Sequence, residues 1–140
     1  MEDLSFRSSK RTTCMPWKIS YLEDTKIIKT IYTEPITLDE LKECAMANFS
    51  MAAEKQTGLF LGDCSSFTQQ GSTMDIYELG KFLESISLEL RIHIKEALIE
   101  PSNIQRVSSD LRFFETVTNN RMIKARIFQD TESALEWLLN

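Results

Sequence analysis

Between Gly58 and Gly62 stand three apolar residues, Leu59-Phe60-Leu61, with no polar side chain among them. As a strand, such a run has no face to offer water, so it belongs in the interior of a sheet covered on both sides. The segments before and after it carry apolar residues at helical spacing. Strands that alternate with helices specify a mainly parallel sheet, because parallel neighbours need a long crossover and a helix supplies it. This short run therefore constrains the fold of the whole chain.

The remaining elements follow from period and punctuation. Trp17, Ile19 and Tyr21 alternate with Lys18 and Ser20, the pattern of a half-buried strand. After Glu23-Asp24-Thr25 comes Ile27-Ile28-Lys29-Thr30-Ile31-Tyr32, rich in β-branched residues, and the two runs predict an antiparallel hairpin. Pro35 ends it. Thr37-Leu38-Asp39-Glu40 has the capping-box spacing, and Leu41, Ala45, Phe49 and Ala52 carry a helix to about Gln56, with Gly58 as its stop. The polar stretch from Asp63 to Ser72 is a loop. A second cap at Ser72 to Asp75 opens a helix with Ile76, Leu79, Leu83 and Ile86 on one face. A strand spans about His93 to Ile99. A third cap, Ser102 to Gln105, opens a helix bearing Ile104, Val107, Leu111 and Phe114, which Asn119-Asn120 ends. Ile123, Ala125 and Ile127 alternate with Lys124 and Arg126 as an edge strand, and Asp130 caps a last helix with Ala134, Leu135, Trp137 and Leu138.

The expected fold is α/β: a mixed, mainly parallel five-stranded sheet, an N-terminal antiparallel hairpin and about four helices. At 140 residues the chain is the size of one domain, and 42% hydrophobic against 26% charged residues suits a packed core. We expect that domain over residues 15–140, preceded by a mobile leader at 1–14 that lacks both period and cap.

Composition also removes whole classes of function. A net charge of −5 gives no general attraction to nucleic acid. No apolar run approaches the roughly 20 residues that span a bilayer. Three scattered cysteines, Cys14, Cys44 and Cys64, fit reduced thiols in a cytoplasmic protein better than a disulfide framework. One histidine and distant cysteines make no zinc pattern, and four dispersed glycines make neither a dinucleotide fingerprint nor a P-loop. No cofactor, metal or catalytic set is expected, so the chain reads as a non-enzyme.

The segment Leu111-Arg112-Phe113-Phe114-Glu115-Thr116-Val117 leads into Asn119-Asn120-Arg121, then Ala125-Arg126-Ile127-Phe128 and Glu132-Ser133-Ala134-Leu135-Glu136-Trp137-Leu138. Together with the order of elements, it resembles the SpoIIAA-like family, which is grouped with the STAS and CRAL-TRIO folds. The resemblance covers roughly residues 15–140 and implies a five-stranded sheet with helices packed on it. It implies no established activity; together with the lack of a catalytic set it points to a non-enzymatic binding or regulatory module acting through a protein partner or a small ligand. The alternative it implies is a carrier of a lipid or other apolar molecule. STAS proteins of the anti-anti-sigma type carry a phosphorylatable Ser in an Asp-Ser-Ser-Gly-like turn; the comparable region here reads Asp63-Cys64-Ser65-Ser66-Phe67, without the glycine and with a longer loop.

The residues themselves point to the same loop. Asp63 stands at the expected carboxyl end of the central strand, where open α/β sheets place their ligands. Cys64, Ser65, Ser66, Ser72 and Thr73 add a thiol and hydroxyls ahead of a helix N-terminus, which favours anions. These six residues are the candidate ligand-binding or regulatory set. The plainer reading is that Asp63 and Ser65 satisfy loop backbone groups. Cys64 has no basic neighbour in sequence to lower its pKa, and His93 reads as an isolated histidine. Asp39, Glu40 and Glu43 are explained by helix capping and the helix dipole. Asn120-Arg121 reads as a helix-ending turn. Phe113, Phe114 and Trp137 could line a lipid cavity but fit a core better. Homo-oligomerisation is compatible with the sequence.

Overall fold

The computed structural model describes residues 16–33, 36–66, 73–101, 105–119 and 123–140; the side chains at 73–75, 105–110 and 119 also fall outside that description. The leader expected at 1–14, Pro35, Ser72 and the turn at Asn120-Arg121 lie outside the described residues, as does most of the cap expected at Ser102 to Gln105.

The chain forms β1 (Trp17–Leu22), β2 (Ile27–Tyr32), α1 (Leu38–Lys55), β3 (Leu59–Asp63), α2 (Thr73–Leu90), β4 (Ile94–Ile99), α3 (Gln105–Asn119), β5 (Ile123–Phe128) and α4 (Thr131–Leu139). The strands lie in the order β1-β2-β3-β4-β5. β1 and β2 pair antiparallel from Trp17 opposite Tyr32 to Leu22 opposite Ile27. Every other pair is parallel. Leu59-Phe60-Leu61 occupies the centre with a partner on each side, and β5 is an edge whose exposed Lys124 and Arg126 alternate with buried Ile123 and Ala125. Both placements are those the apolar run and the alternation predict.

Strands that follow one another across the sheet, with helices on one face, require crossovers of one hand. Phe49 and Ala52 of α1, Leu83 of α2, and Leu111 and Phe114 of α3 share a core with Ile28, Phe60, Ile94, Leu98, Ile123 and Ala125. The opposite face has a smaller core, where Ala134 and Leu138 of α4 cover Ile27, Leu61, Ala97 and Ile99. Phe114 is core, and Trp137 packs against Phe128 with ring centroids 5.6 Å apart.

Local signals hold at the helix starts. Thr37 Oγ1 accepts from the Glu40 amide at 3.1 Å while Glu40 Oε1 accepts from the Thr37 amide at 3.0 Å, the reciprocal pair of a capping box. Asp130 Oδ1 accepts from the Ser133 amide at 2.7 Å, and this bond holds the Asp130 carboxyl below its usual pKa.

Two sequence expectations need correction. α1 is ended not by Gly58 but by Gln56, which takes the left-handed conformation at φ 56°. Gly58 serves a different need: any Cβ there would collide with the His93 carbonyl of the neighbouring chain segment. His93 itself is exposed and precedes β4 instead of belonging to it.

Candidate functional site

The carboxyl end of β3 carries the expected turn. Asp63 Oδ1 accepts from the Ser65 amide at 3.0 Å and from the Ser65 hydroxyl at 2.6 Å. The short side chain thereby takes over the backbone donor that the strand leaves behind. Ser65 and Ser66 are exposed. Cys64, between Asp63 and Ser65, turns the other way: its thiol is buried at 2% exposure and its amide donates to the Ile99 carbonyl at 2.9 Å, continuing the β3–β4 pairing. Burial pushes the Cys64 pKa well up, with the nearby Glu96 and Asp63 carboxylates adding to the shift. The turn thus presents hydroxyls and no thiol. Thr73 is the first residue of α2. Beside the turn, Glu100 follows β4. It is buried, and its Oε1 has no hydrogen-bond partner among the described residues. Its Oε2 stands 3.6 Å from an exposed Arg112 guanidinium nitrogen of α3.

A second group lies beneath the turn, on the face covered by α1, α2 and α3. Along β4 the residues Ile94, Glu96 and Leu98 share that face, because side chains alternate along a strand. Glu96 stands level with Phe60 of β3 and Ala125 of β5. From β2, Tyr32 reaches the same place. At Gly62 the place of the missing side chain is taken by Leu98, whose Cδ2 lies 2.8 Å from where a Cβ would stand, with Glu96 Oε2 at 3.7 Å and Tyr32 Cε2 at 3.8 Å. Cys44 of α1 points its thiol at the Tyr32 hydroxyl across 3.9 Å. Asn48, one turn on, donates to the Cys44 carbonyl at 2.9 Å and accepts from the Thr30 hydroxyl at 3.1 Å.

The electrostatics of this group follow from the scarcity of charge partners. Glu96 makes no hydrogen bond or ion pair with the described residues, and burial raises its carboxyl from 4.5 to about 7. Cys44 is pushed up to about 12 by burial, opposed by its hydrogen bond to Tyr32. Tyr32 is raised by burial and then by the neighbouring Cys44, Cys64 and Glu96. A phenol and two thiols that hold their protons, around a carboxyl that titrates near neutrality, can donate hydrogen bonds or exchange a proton. The thiols are poor nucleophiles in that state.

Glu96 and Tyr32 were legible only in part. Lys95-Glu96 is a charged pair inside an otherwise apolar strand of a sheet covered on both sides. That anomaly is the available signal. Lys95 resolves on the α4 face, where Nζ donates to the Trp137 carbonyl at 2.7 Å and lies 4.7 Å from the ring centroid. Glu96 finds no such partner among the described residues. Among the described residues there is no group of three or more metal-binding side chains, and no helix is long and apolar enough to cross a membrane. No protein-family model, no curated protein and no solved structure matches the chain.

Proposed function

We propose that the protein is a non-enzymatic binding or regulatory module of STAS-like type, and that it engages a partner or an anionic ligand through the turn that follows β3. The single observation behind this reading is the Asp63-anchored turn, which holds the exposed Ser65 and Ser66 at the carboxyl end of the central parallel strand. Ligands of open α/β sheets gather at that end. A phosphate placed on Ser66 would stand free in solvent and give the turn a switchable charge. The burial of Cys64 leaves the turn with hydroxyls and no accessible thiol, which favours recognition over thiol chemistry.

The test replaces Asp63, Ser65 and Ser66 together by Ala. Phosphosites are mapped after incubation in cell extract with ATP, and the partners retained by parent and variant are compared quantitatively. The expected outcome is phosphate on Ser65 or Ser66, or loss of a retained partner or ligand, with the melting temperature within a few degrees of the parent. A variant that keeps every partner, from a parent that carries no phosphate in the turn, would show it to be a connector.

A further inference from the structure

β1 and β5 stand at the two ends of the five-stranded sheet, and their outward edges are built differently. Just past β4, the Glu100 amide donates to the Phe128 carbonyl at 2.9 Å, so Phe128 turns its backbone toward β4 and Ile127 turns outward. Glu115 of α3 lies over that edge, where its Oε2 accepts from the Ile127 amide at 3.2 Å. A helix side chain laid on an edge amide hinders the addition of another strand. On β1 the phase is fixed by the Thr33 amide, which donates to the Pro16 carbonyl at 3.0 Å. Bonded and open pairs alternate in an antiparallel ladder. Lys18, Ser20 and Leu22 therefore bond to β2, while the amides and carbonyls of Trp17, Ile19 and Tyr21 point away from it. The strand runs in unbroken register, with no bulge, no proline and Lys18 as its one charge. Such an edge is a template for a further strand.

We propose that β1 pairs antiparallel with β1 of a second copy, across a two-fold axis at Ile19, joining two five-stranded sheets into one. What selects a second copy is that β1 is complementary to itself read backwards, as an isologous interface requires. With Ile19 opposite Ile19 of the partner subunit, Trp17 stands opposite the partner subunit's Tyr21, and Tyr21 opposite the partner subunit's Trp17. All three pairs belong to the outward phase, so each exchanges two N–H···O bonds. Their side chains lie on the three-helix face and are half-buried in a single copy, and aromatic cross-strand pairs are among the stabilising ones. On the other face the exposed Lys18 stands opposite the exposed Ser20 of the partner subunit. A slip of two residues one way would set Lys18 against Lys18. The same slip the other way would set Trp17 against Glu23. The register centred on Ile19 keeps like charges apart and the rings together.

The interface is small, so its dissociation constant should lie in the micromolar range. Sedimentation of the full chain from about 1 µM to about 1 mM should show a monomer passing into a dimer. In amide hydrogen exchange, Lys18 and Ser20 should be protected at every concentration, and Ile19 and Tyr21 only where the dimer forms. Ser20→Lys sets two like-charged pairs across the interface at exposed positions and should weaken the dimer about tenfold. Ser20→Glu should tighten it, and both variants should melt within a few degrees of the dilute parent. β1 lies two strands from β3, so the Asp63, Ser65, Ser66 triple variant should dimerise as the parent does. A chain that stays monomeric at about 1 mM overturns the proposal. So does a dimer in which Ile19 and Tyr21 exchange as fast as in the monomer, or one that Ser20→Lys leaves unchanged, because that dimer uses another surface. Protection of Ile19 and Tyr21 that ignores concentration and disappears on deletion of residues 1–14 would give the edge to that segment of the same chain, and would overturn it as well.

Discussion

Glu96 is the residue whose environment departs furthest from what its type prefers. Its carboxyl sits on an inner strand with no cation beside it among the described residues, and burial lifts its pKa to about 7. The folded chain therefore holds a proton that the unfolded chain releases near 4.5, so this residue makes stability fall as pH rises through that window. Replacing it with Gln removes the titration. Because Glu96 keeps some solvent contact, the gain of Glu96→Gln over the parent at pH 8 should be on the order of 2 kcal/mol, shrinking to near zero at pH 4. Urea unfolding of both proteins at the two pH values measures it. A difference that is the same at both would show that Glu96 does not titrate between them.

At the scale of elements, the end of α1 and the start of β3 divide two tasks between neighbouring residues. Gln56 adopts the left-handed conformation that closes the helix, its amide donating to the Ala52 carbonyl. Thr57 is buried and donates to the Lys26 carbonyl at 2.6 Å, tying the helix end to the hairpin turn. Gly58 lets β3 pass against the His93 carbonyl, and Lys95 then donates its amide to Gly58 at 2.9 Å to begin the β3–β4 pairing. Gln56→Gly should stabilise the protein by about 0.5–1 kcal/mol, since glycine adopts a positive φ without strain. Gly58→Ala should cost about 2–4 kcal/mol, because the obstacle is backbone and cannot rotate away. Thermal melts of the two variants check both signs. A neutral Gly58→Ala would mean that the strands do not approach as closely as described.

In the whole molecule the two faces of the sheet are unequally protected. Three crossovers of one hand place α1, α2 and α3 together, so the other face depends on α4. That helix has nine residues, yet it covers Ile27, Leu61, Ala97 and Ile99, the inward-facing side chains of three adjacent strands. Lys95 lies across Trp137 and bonds its carbonyl, which fixes the C-terminal turn to β4. Removing residues 131–140 should uncover that face entirely. The expected result is loss of a cooperative thermal transition and a strong rise in ANS fluorescence, with much helical circular dichroism retained. A truncated protein that still melts sharply would show the larger core to be sufficient alone.

Much of this arrangement is written locally. The period of each segment named its element, Thr37 with Glu40 and Asp130 with Ser133 marked helix starts, and the unbroken Leu59-Phe60-Leu61 marked the sheet centre. Of the proposed site, the sequence located the Asp63 turn, because a polar residue ending an apolar strand is a local signal. It could not tell that Gln56, not Gly58, closes α1, since both residues lie at the helix end and only the neighbouring His93 carbonyl decides which needs to be glycine. Nor could it bring Tyr32, Gly62 and Glu96 together. Those residues are far apart in sequence, and their meeting depends on the register of three parallel strands, which no short turn sets and the packing of the intervening helices must. Whether Lys95 or Glu96 faced the three-helix layer was settled by that packing too: α4 offered the lysine a carbonyl and an aromatic ring, and the alternation of the strand sent the carboxyl the other way.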